Sequence, residues 1–472
     1  MEYEVVIGLE VHCELATKTK IFCGCLSEFG GKPNTHICPV CMGLPGALPQ
    51  LNRKVVEYAI KAGLALNCSI TRYGRLDRKT IFYPDCPKNY QISQQELPVC
   101  RDGFIDIEID NGNSKKIRIE RIHIEEDAAK LLHTDHETLI DFNRSGVPLI
   151  EIVTKPDLRS AKEAVLFLEN LKNILTSLSI SDCKMEEGSL RCDANISVME
   201  KGSKEFGVRT EIKNVNSFKA LEKAINFEIK RHISEISAGK QLYQETRRWD
   251  DTKNNTVVMR SKEFANDYRY FPEGDLVTLN IDDDWIEEIR KTIPELPPEK
   301  KKRFIEQYNL SKYDAEILTI SIAVADFFEK TTEICGDAKA TANWLMGDIA
   351  SLLKENEGAN FKPEQLAELI MLINEGTISN AIGKNIIIDV FKKGKSPKAI
   401  IEERGLIQNS DEKTILELVK KVLVCNTKSI DDYKKGKTQV VGYLVGVIMK
   451  ETKGKANPQI VNKLIMKEIG KF

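Results

Sequence analysis

The sequence predicts an α+β chain: a large N-terminal domain built on antiparallel sheet, followed by two all-α modules. Up to about residue 290, short β-rich runs come in consecutive groups instead of alternating one-for-one with helices, which favours antiparallel over doubly wound sheet. The stretch PELPPEKKKR (294–303) then concentrates proline and charge, and beyond it almost every segment has helical period. GLIQNS (405–410) reads as a second, shorter linker. The expected domains are therefore 1–293, 294–406 and 407–472, since 472 residues are too many for one core.

The first strand is IGLEVHCEL (7–15), where Glu10, His12 and Glu14 share one face and Leu9, Val11, Cys13 and Leu15 the other. KKIRIERIHIEE (115–126), VPLIEIVT (147–154) and CDANISVM (192–199) supply further strands. Two amphipathic helices interrupt them. One opens with Ser160 and Glu163 at capping-box spacing; the other carries Leu221, Ala224, Ile225, Glu228, Ile229, His232 and Ile233 at helical intervals. After the boundary, ATANWLMGDIASLLKE, KPEQLAELIMLINEG and SDEKTILELVKKVLV place apolar residues three and four apart.

Lysine plus arginine number 69 and aspartate plus glutamate 71, so a net charge of −2 gives no whole-molecule field for nucleic acid. Any such role needs a local patch. No apolar run reaches the ~20 residues of a membrane span and MEYEVVIG lacks the features of a signal peptide, so a soluble, cytoplasmic protein is expected. Twelve scattered cysteines suit reduced thiols or a metal site better than a disulfide framework.

The sharpest chemical signal is CGCLSEFGGKPNTHICPVC. It sets Cys23 and Cys25 one residue apart and Cys38 and Cys41 two apart, across a Gly-rich loop. Thiolates at ~2.3 Å from a tetrahedral Zn²⁺ need two such pairs joined by a turn, so a closed structural zinc site is expected, with His36 able to replace one sulfur. The alternative is a metal-free loop of free thiols. RIHIEED (121–127) repeats the device of the first strand, with Arg121, His123 and Glu125 on one face. Paired, the two strands would gather Glu10, His12, His123 and Glu125, and a hard divalent ion is the usual resolution of that charge density; separate surface salt bridges are the bland alternative.

RLDRKTIFYPDCPKNYQISQ (75–94) interleaves Arg75, Arg78, Lys79 and Lys88 with Phe82, Tyr83 and Tyr90, a pattern suited to phosphates and stacked bases and also common in ordinary loops. Asp193, Glu211 and Lys213 fall in β-like runs where alternation could turn them inward, against the commoner reading of dense mixed charge as a solvated face. Absences narrow the choice: there is no GxxxxGK[ST] loop, no GxGxxG after a strand and no GxSxG elbow. From Lys428 to Phe472, ten lysines face four acids, concentrated in KKGK (Lys434, Lys435, Lys437) and KETKGKANP (Lys453, Lys455). Lysines in glycine-containing turns suit phosphate-backbone contacts without base readout, against an ordinary solvated tail.

Ten separated motifs, in order from IGLEVHCEL through DRKTIFYPDCPKNYQISQ, RIHIEEDAAK, MEEGSLRCDANISV and MRSKEFANDYRYFPEGDL to KGKANPQIVNKL, closely resemble the B-subunit family of the glutamine-dependent aspartyl/glutamyl-tRNA amidotransferases. The resemblance implies a ligase that corrects Glu on tRNA-Gln or Asp on tRNA-Asn, in a heterotrimer with an amidase A subunit and a small C subunit. It implies ATP-dependent phosphorylation of the side-chain carboxylate and attack by ammonia channelled from the amidase. The implied fold is a curved antiparallel sheet of the glutamine synthetase and guanido kinase type carrying Mg²⁺ and ATP, followed by a helical domain and a tRNA-binding tail. Carried onto this sequence, the resemblance makes Glu10, His12, Glu125 and Glu151 the magnesium ligands and Arg191, Arg209 and Lys213 the phosphate clamp. Lys79, Tyr83, Lys88 and Tyr90 would line the ammonia exit or seat the aminoacyl end.

Overall fold

The computed structural model describes residues 2–109, 112–261, 268–355, 361–406, 412–434, 438–452, 456 and 458–471. The chain divides into two compact units, Met1–Leu296 and Pro297–Phe472. Strands of the first unit are β1 (Tyr3–Glu14), β2 (Ser69–Ile70), β3 (Tyr73–Gly74), β4 (Asp77–Thr80), β5 (Tyr90–Ser93), β6 (Cys100–Glu108), β7 (Ser114–Glu126), β8 (Lys130–His133) and β9 (Thr138–Asp141). Then come β10 (Pro148–Thr154), β11 (Leu190–Glu200), β12 (Thr210–Lys213), β13 (Glu245–Asp250), β14 (Asn255–Ser261), β15 (Phe271–Pro272) and β16 (Leu279–Asn280). Nine of them form one sheet in the order β14-β13-β12-β11-β1-β10-β7-β6-β2.

Alternation decides which face of this sheet is dry. Leu9, Val11 and Cys13 of β1 join Ile150 and Ile152 of β10 and Ile122 and Ile124 of β7 in one apolar cluster. Helices α1 (Arg53–Ala65), α2 (Ala161–Ser177) and α3 (Phe218–Ser237) contribute Ile60, Phe167, Leu171, Leu221 and Ile225 to it. Ser160 and Ser217 cap the last two by accepting from the backbone N–H of Glu163 and Ala220. With one face dry, polar residues at the intervening positions have to occupy the other, and that is where the chemistry gathers.

The sheet is mixed, and this corrects the expectation of a wholly antiparallel one. β12 and β13 run parallel. Parallel neighbours need a long crossover, and the 20-residue α3 between them supplies it. Two of the smaller sheets, β15-β4-β5 and β8-β9, border the polar face and the cysteine loop.

The second unit is helical in its described residues: α4 (Asp283–Arg290) closes the first unit, and α5 (Pro297–Tyr308) opens a succession ending with α16 (Pro458–Glu468). It holds two apolar clusters. One centres on Phe304, Phe328, Ile370 and Ile387, the other on Val419, Leu444, Val461 and Ile465. Residues 407–411, across the expected second linker, lie outside the described residues.

Candidate active site

Three neighbouring strands build the first cluster. His12 of β1 lies opposite Glu151 of β10, which lies opposite His123 of β7. The Glu151 Oε2 is 3.5 Å from His12 Nε2 and 3.1 Å from His123 Nε2. Two residues along β7, Glu125 Oε2 sits 3.3 Å from His123 Nε2, accepts from Ser93 Oγ at 2.9 Å, and its other oxygen lies 3.5 Å from Lys79 Nζ. β1 and β7 share this polar face without pairing directly. β10 separates them, and with it Glu151 enters the middle of the row.

Burial and charge oppose each other in this cluster. His123 is 3% exposed, and burial alone would push it down, yet Glu151 and Glu125 outweigh that and hold it at about 9. Burial likewise favours a neutral Glu151, but His123 and His12 keep its carboxyl well below the usual range. Against burial, Lys79 and His123 keep Glu125 down.

A second cluster adjoins it. Glu10 of β1 lies opposite Asp193 of β11, and Glu211 of β12 lies opposite Asn195. Lys213 ion-pairs with both Asp193 and Glu211, the latter at 3.1 Å. Asn195 Nδ2 donates to Glu10 Oε1 at 2.9 Å. Burial, and then the nearby Glu151, push Glu10 up. One cavity of about 270 Å³ joins the clusters, lined by Glu10, His12, Glu151, Glu211, Lys79 and Lys213, with exposed Arg209 at its edge. Arg191 stands opposite His12 and pairs with Asp127 at 2.8 Å, one step outside that lining. A neighbouring cavity of about 520 Å³ contains Lys79, Tyr83, Lys88 and Tyr90, with Lys88 paired to Glu126.

The structure thus distributes the expected ligands Glu10, Glu125 and Glu151 over two adjoining groups and leaves His12 outside both, beside Glu151. Ligand atoms of His123, Glu125 and Glu151 lie within 4.8 Å of one another, as do those of Glu10, Asp193 and Glu211. The second, all-carboxylate group offers the hard oxygens that suit Mg²⁺, with Lys213 already paired to two of its three members. Asp193 and Glu211 are legible as inward-facing residues but not as ligands. Tyr268 and Tyr270, which line the same cavity, lie in the motif MRSKEFANDYRYFPEGDL but were assigned no role from sequence; Thr80 N–H bonds to the Tyr268 carbonyl at 2.9 Å and fixes that segment beside Lys79. Arg121 lines it too, and its buried Nε finds no hydrogen-bond partner among the described residues.

Cys23, Cys25, Cys38 and Cys41 converge, with all four sulfurs within 4.8 Å of one another. Cys38 and Cys41 sulfurs are 3.9 Å apart, close to the roughly 3.8 Å edge of a tetrahedron of thiolates around zinc. A hydrogen bond from Cys23 holds Cys41 down at about 5. These residues fit Zn²⁺. His36 lies outside the group and faces Glu28 at 3.7 Å, so it does not take the place of a sulfur. Of the tail lysines, Lys434 is exposed in the last turn of α14 (Thr427–Lys434), whereas Lys435, Lys437, Lys453 and Lys455 lie outside the described residues.

Comparison with known proteins decides the family. Residues 5–287 match the GatB/GatE catalytic domain and residues 326–469 the GatB domain. Over 475 residues, spanning all of both chains, the sequence is 69% identical to an aspartyl/glutamyl-tRNA(Asn/Gln) amidotransferase B subunit of Clostridium acetobutylicum. It is 65% identical over 476 residues, again the whole of both chains, to the corresponding B subunit of Clostridium botulinum. The chain belongs to the aspartyl/glutamyl-tRNA amidotransferase B-subunit family. Both acid–base groups and all four cysteines fall inside the match to the family's catalytic domain. No described helix is long and apolar enough to cross a membrane.

Proposed function

We propose that this chain is the subunit of a cytoplasmic, glutamine-dependent amidotransferase that activates the side-chain carboxylate of misacylated Glu-tRNA(Gln), Asp-tRNA(Asn) or both. The observation that carries this reading is the meeting of two carboxylate groups and the cations Lys79, Lys213 and Arg209 around one open cavity. A purely structural ion would be closed off by its ligands instead. In this reading the sheet serves as a cradle of the glutamine synthetase and guanido kinase type.

A carboxylate resists ammonia because its leaving group would be oxide. Transfer of the γ-phosphoryl of ATP to that oxygen makes phosphate the leaving group, and attack by ammonia then forms the amide. Arg209 and Lys213 hold the phosphates, with Arg191 steadied behind them by Asp127. Glu10, Asp193 and Glu211, with His12, Glu125 and Glu151 beside them, would hold Mg²⁺, which when bound neutralises phosphate charge. Ammonia arrives from the amidase A subunit through the larger cavity, past Lys88, Tyr83 and Lys79, while the small C subunit completes the heterotrimer. Zn²⁺ in the cysteine loop is structural, and the basic tail holds the tRNA backbone. Catalysis is largely positioning and charge.

The test is Glu125→Gln in the reconstituted complex, read as ATP-dependent phosphorylation of aminoacyl-tRNA. The reading expects a fall of about 100-fold or more. Wild-type phosphorylation with magnesium present would instead make this chain a tRNA-holding scaffold whose partners do the chemistry.

A further inference from the structure

We infer that Lys20 is the built-in countercation of the cysteine loop: its fully buried ammonium is held beside Cys41 and offsets the negative charge that four thiolates leave around a divalent zinc ion. The inference rests on the zinc reading above and adds what that reading leaves out, the source of positive charge. Four thiolates bring four negative charges to an ion that carries two positive ones, so the loaded centre has negative charge in excess. Inside a protein such a charge needs a partner.

Lys20 is the one lysine that the described residues bury completely, at 0% exposure. Lysine is almost never buried this far unless an anion answers it. Among the described residues its Nζ makes a single hydrogen bond, to the Phe142 carbonyl at 3.2 Å, and no carboxylate pairs with it. An ammonium has three donors, so that one neutral acceptor leaves most of its charge unanswered. The cysteine loop is the source of anions that the chain places beside it.

Backbone contacts keep the two together. Thr19 and Leu26 form an antiparallel bridge and Lys20 N–H donates to the Cys25 carbonyl at 2.9 Å, so Lys20 stands at the base of a short hairpin that carries Cys23 and Cys25. The segment leading into β10 holds both partners: Ile21 N–H donates to the Gly146 carbonyl at 3.0 Å, and Ser145 Oγ donates to the Cys41 carbonyl at 3.0 Å. Gly146, at φ +81°, lies where the two side chains meet. A Cβ there would sit 3.6 Å from Cys41 Cβ and 3.7 Å from Lys20 Cδ. The lysine stem therefore runs beside Cys41, close enough for its charge to act on that sulfur. Phe142, in the same segment, fixes the head group.

The experiment compares the full-length wild-type chain with Lys20→Met, a neutral side chain of similar length. Zinc affinity is read by competition with a chromophoric chelator, cobalt(II) is substituted to read the thiolate-to-metal charge-transfer band, and the metal-stripped proteins are unfolded in denaturant. Lys20→Met is expected to bind zinc about tenfold more weakly, the scale for a group that supports a metal centre from outside its ligands. Its cobalt band should move to longer wavelength, because sulfur that loses a neighbouring cation gives up electron density more readily. Stripped of metal, the variant should be at least as stable as the wild type, since replacing a buried charge by an apolar side chain of similar volume is neutral or stabilising. Unchanged zinc affinity overturns the inference, and so does an unmoved cobalt band. A variant that is less stable than the wild type without metal, or unfolded, also overturns it, because Lys20 would then be a prop of the loop. A wild-type chain that takes up neither zinc nor cobalt would sink the zinc reading itself.

Discussion

The first unit buries two acid–base clusters made of nearly the same groups. Around Glu151 stand two imidazoles, a second carboxylate and Lys79; around Glu228 stand His232, Arg231 and Arg247. His123 and His232 are almost equally buried, at 3% and 0% exposure, yet their protonation is opposite. His123 is held up at about 9, whereas burial and the facing Arg231 push His232 down to about 4, with only partial opposition from Glu228. The difference also separates closed from open. Glu228 and His232 are sealed, and Thr256, Arg231 and Arg247 satisfy the carboxylate. Glu10, His12 and Glu151 instead line a cavity. On the proposed reading the closed cluster serves stability and the open one chemistry.

The largest expected effect breaks the closed cluster. Glu228→Ala removes the buried carboxylate shared by Arg231 and Arg247, which keep Glu245 as a partner, and should destabilise the first unit by about 3 kcal/mol, measured by denaturant unfolding of the isolated chain. Phosphorylation per folded molecule should be unchanged. Glu125→Gln is expected to do the reverse, losing phosphorylation while leaving the unfolding midpoint close to wild type. If both variants lose the same property, the distinction between the clusters fails.

A pH series sharpens the same contrast. Between about 4 and 6.5 the unfolded chain protonates this imidazole while folded His232 stays neutral, so its contribution is intact above pH 6.5 and is lost as pH falls toward 4. From pH 7.5 to 5 that loss amounts to about 2 kcal/mol. Arg231 and Arg247 oppose a charge on His232, while Glu228 and Glu245 favour one. His232→Gln should remove this acid-dependent part, leaving a flatter curve of stability against pH. An unchanged slope would mean that the imidazole titrates normally inside the fold.

The clusters also differ in how far the sequence disclosed them. Four cysteines within 19 residues announce their meeting, because a single turn suffices to bring the pairs together. Alternation in β1 and β7 placed Glu10, His12, His123 and Glu125 on the polar face, since one face had to be dry. It could not reveal that β10 lies between those strands, because strand order is set by long-range packing; Glu151 came only through family resemblance. Asp193 and Glu211 were visible as inward-facing residues without a role, and β12 is too short for its parallel pairing to be read. Helical period put Glu228 and His232 on a buried stripe, and the ion network there depended on Arg247, from a strand beyond the helix.

The cysteine loop is a third cluster, with only Cys41 fully buried, and tests whether a full set of protein ligands alone predicts a structural role. Metal analysis of the fresh protein should find about one zinc per chain. Cys38→Ser should lower that content and reduce phosphorylation by only about tenfold, within the range for groups that support a site without touching substrate. Gly43 connects the two regions: a Cβ there would lie 3.2 Å from Lys88 Cα, so the loop packs directly on the segment lining the larger cavity. A zinc-free protein with full activity would remove the loop from any supporting role.

The smallest effect belongs to a region with neither kind of cluster. Lys434 stands exposed at the end of α14, where a cation also complements the negative end of the helix dipole. A single solvated contact of this kind adds little affinity, so Lys434→Ala should weaken tRNA binding only a few-fold. Its signature is the salt dependence, because each neutralised phosphate releases condensed counterion on binding. The slope of log affinity against log salt should fall by about 1, equally for cognate and non-cognate tRNA, with glutaminase activity untouched. A loss of affinity without a change of slope would show that Lys434 supports the helical module and makes no phosphate contact.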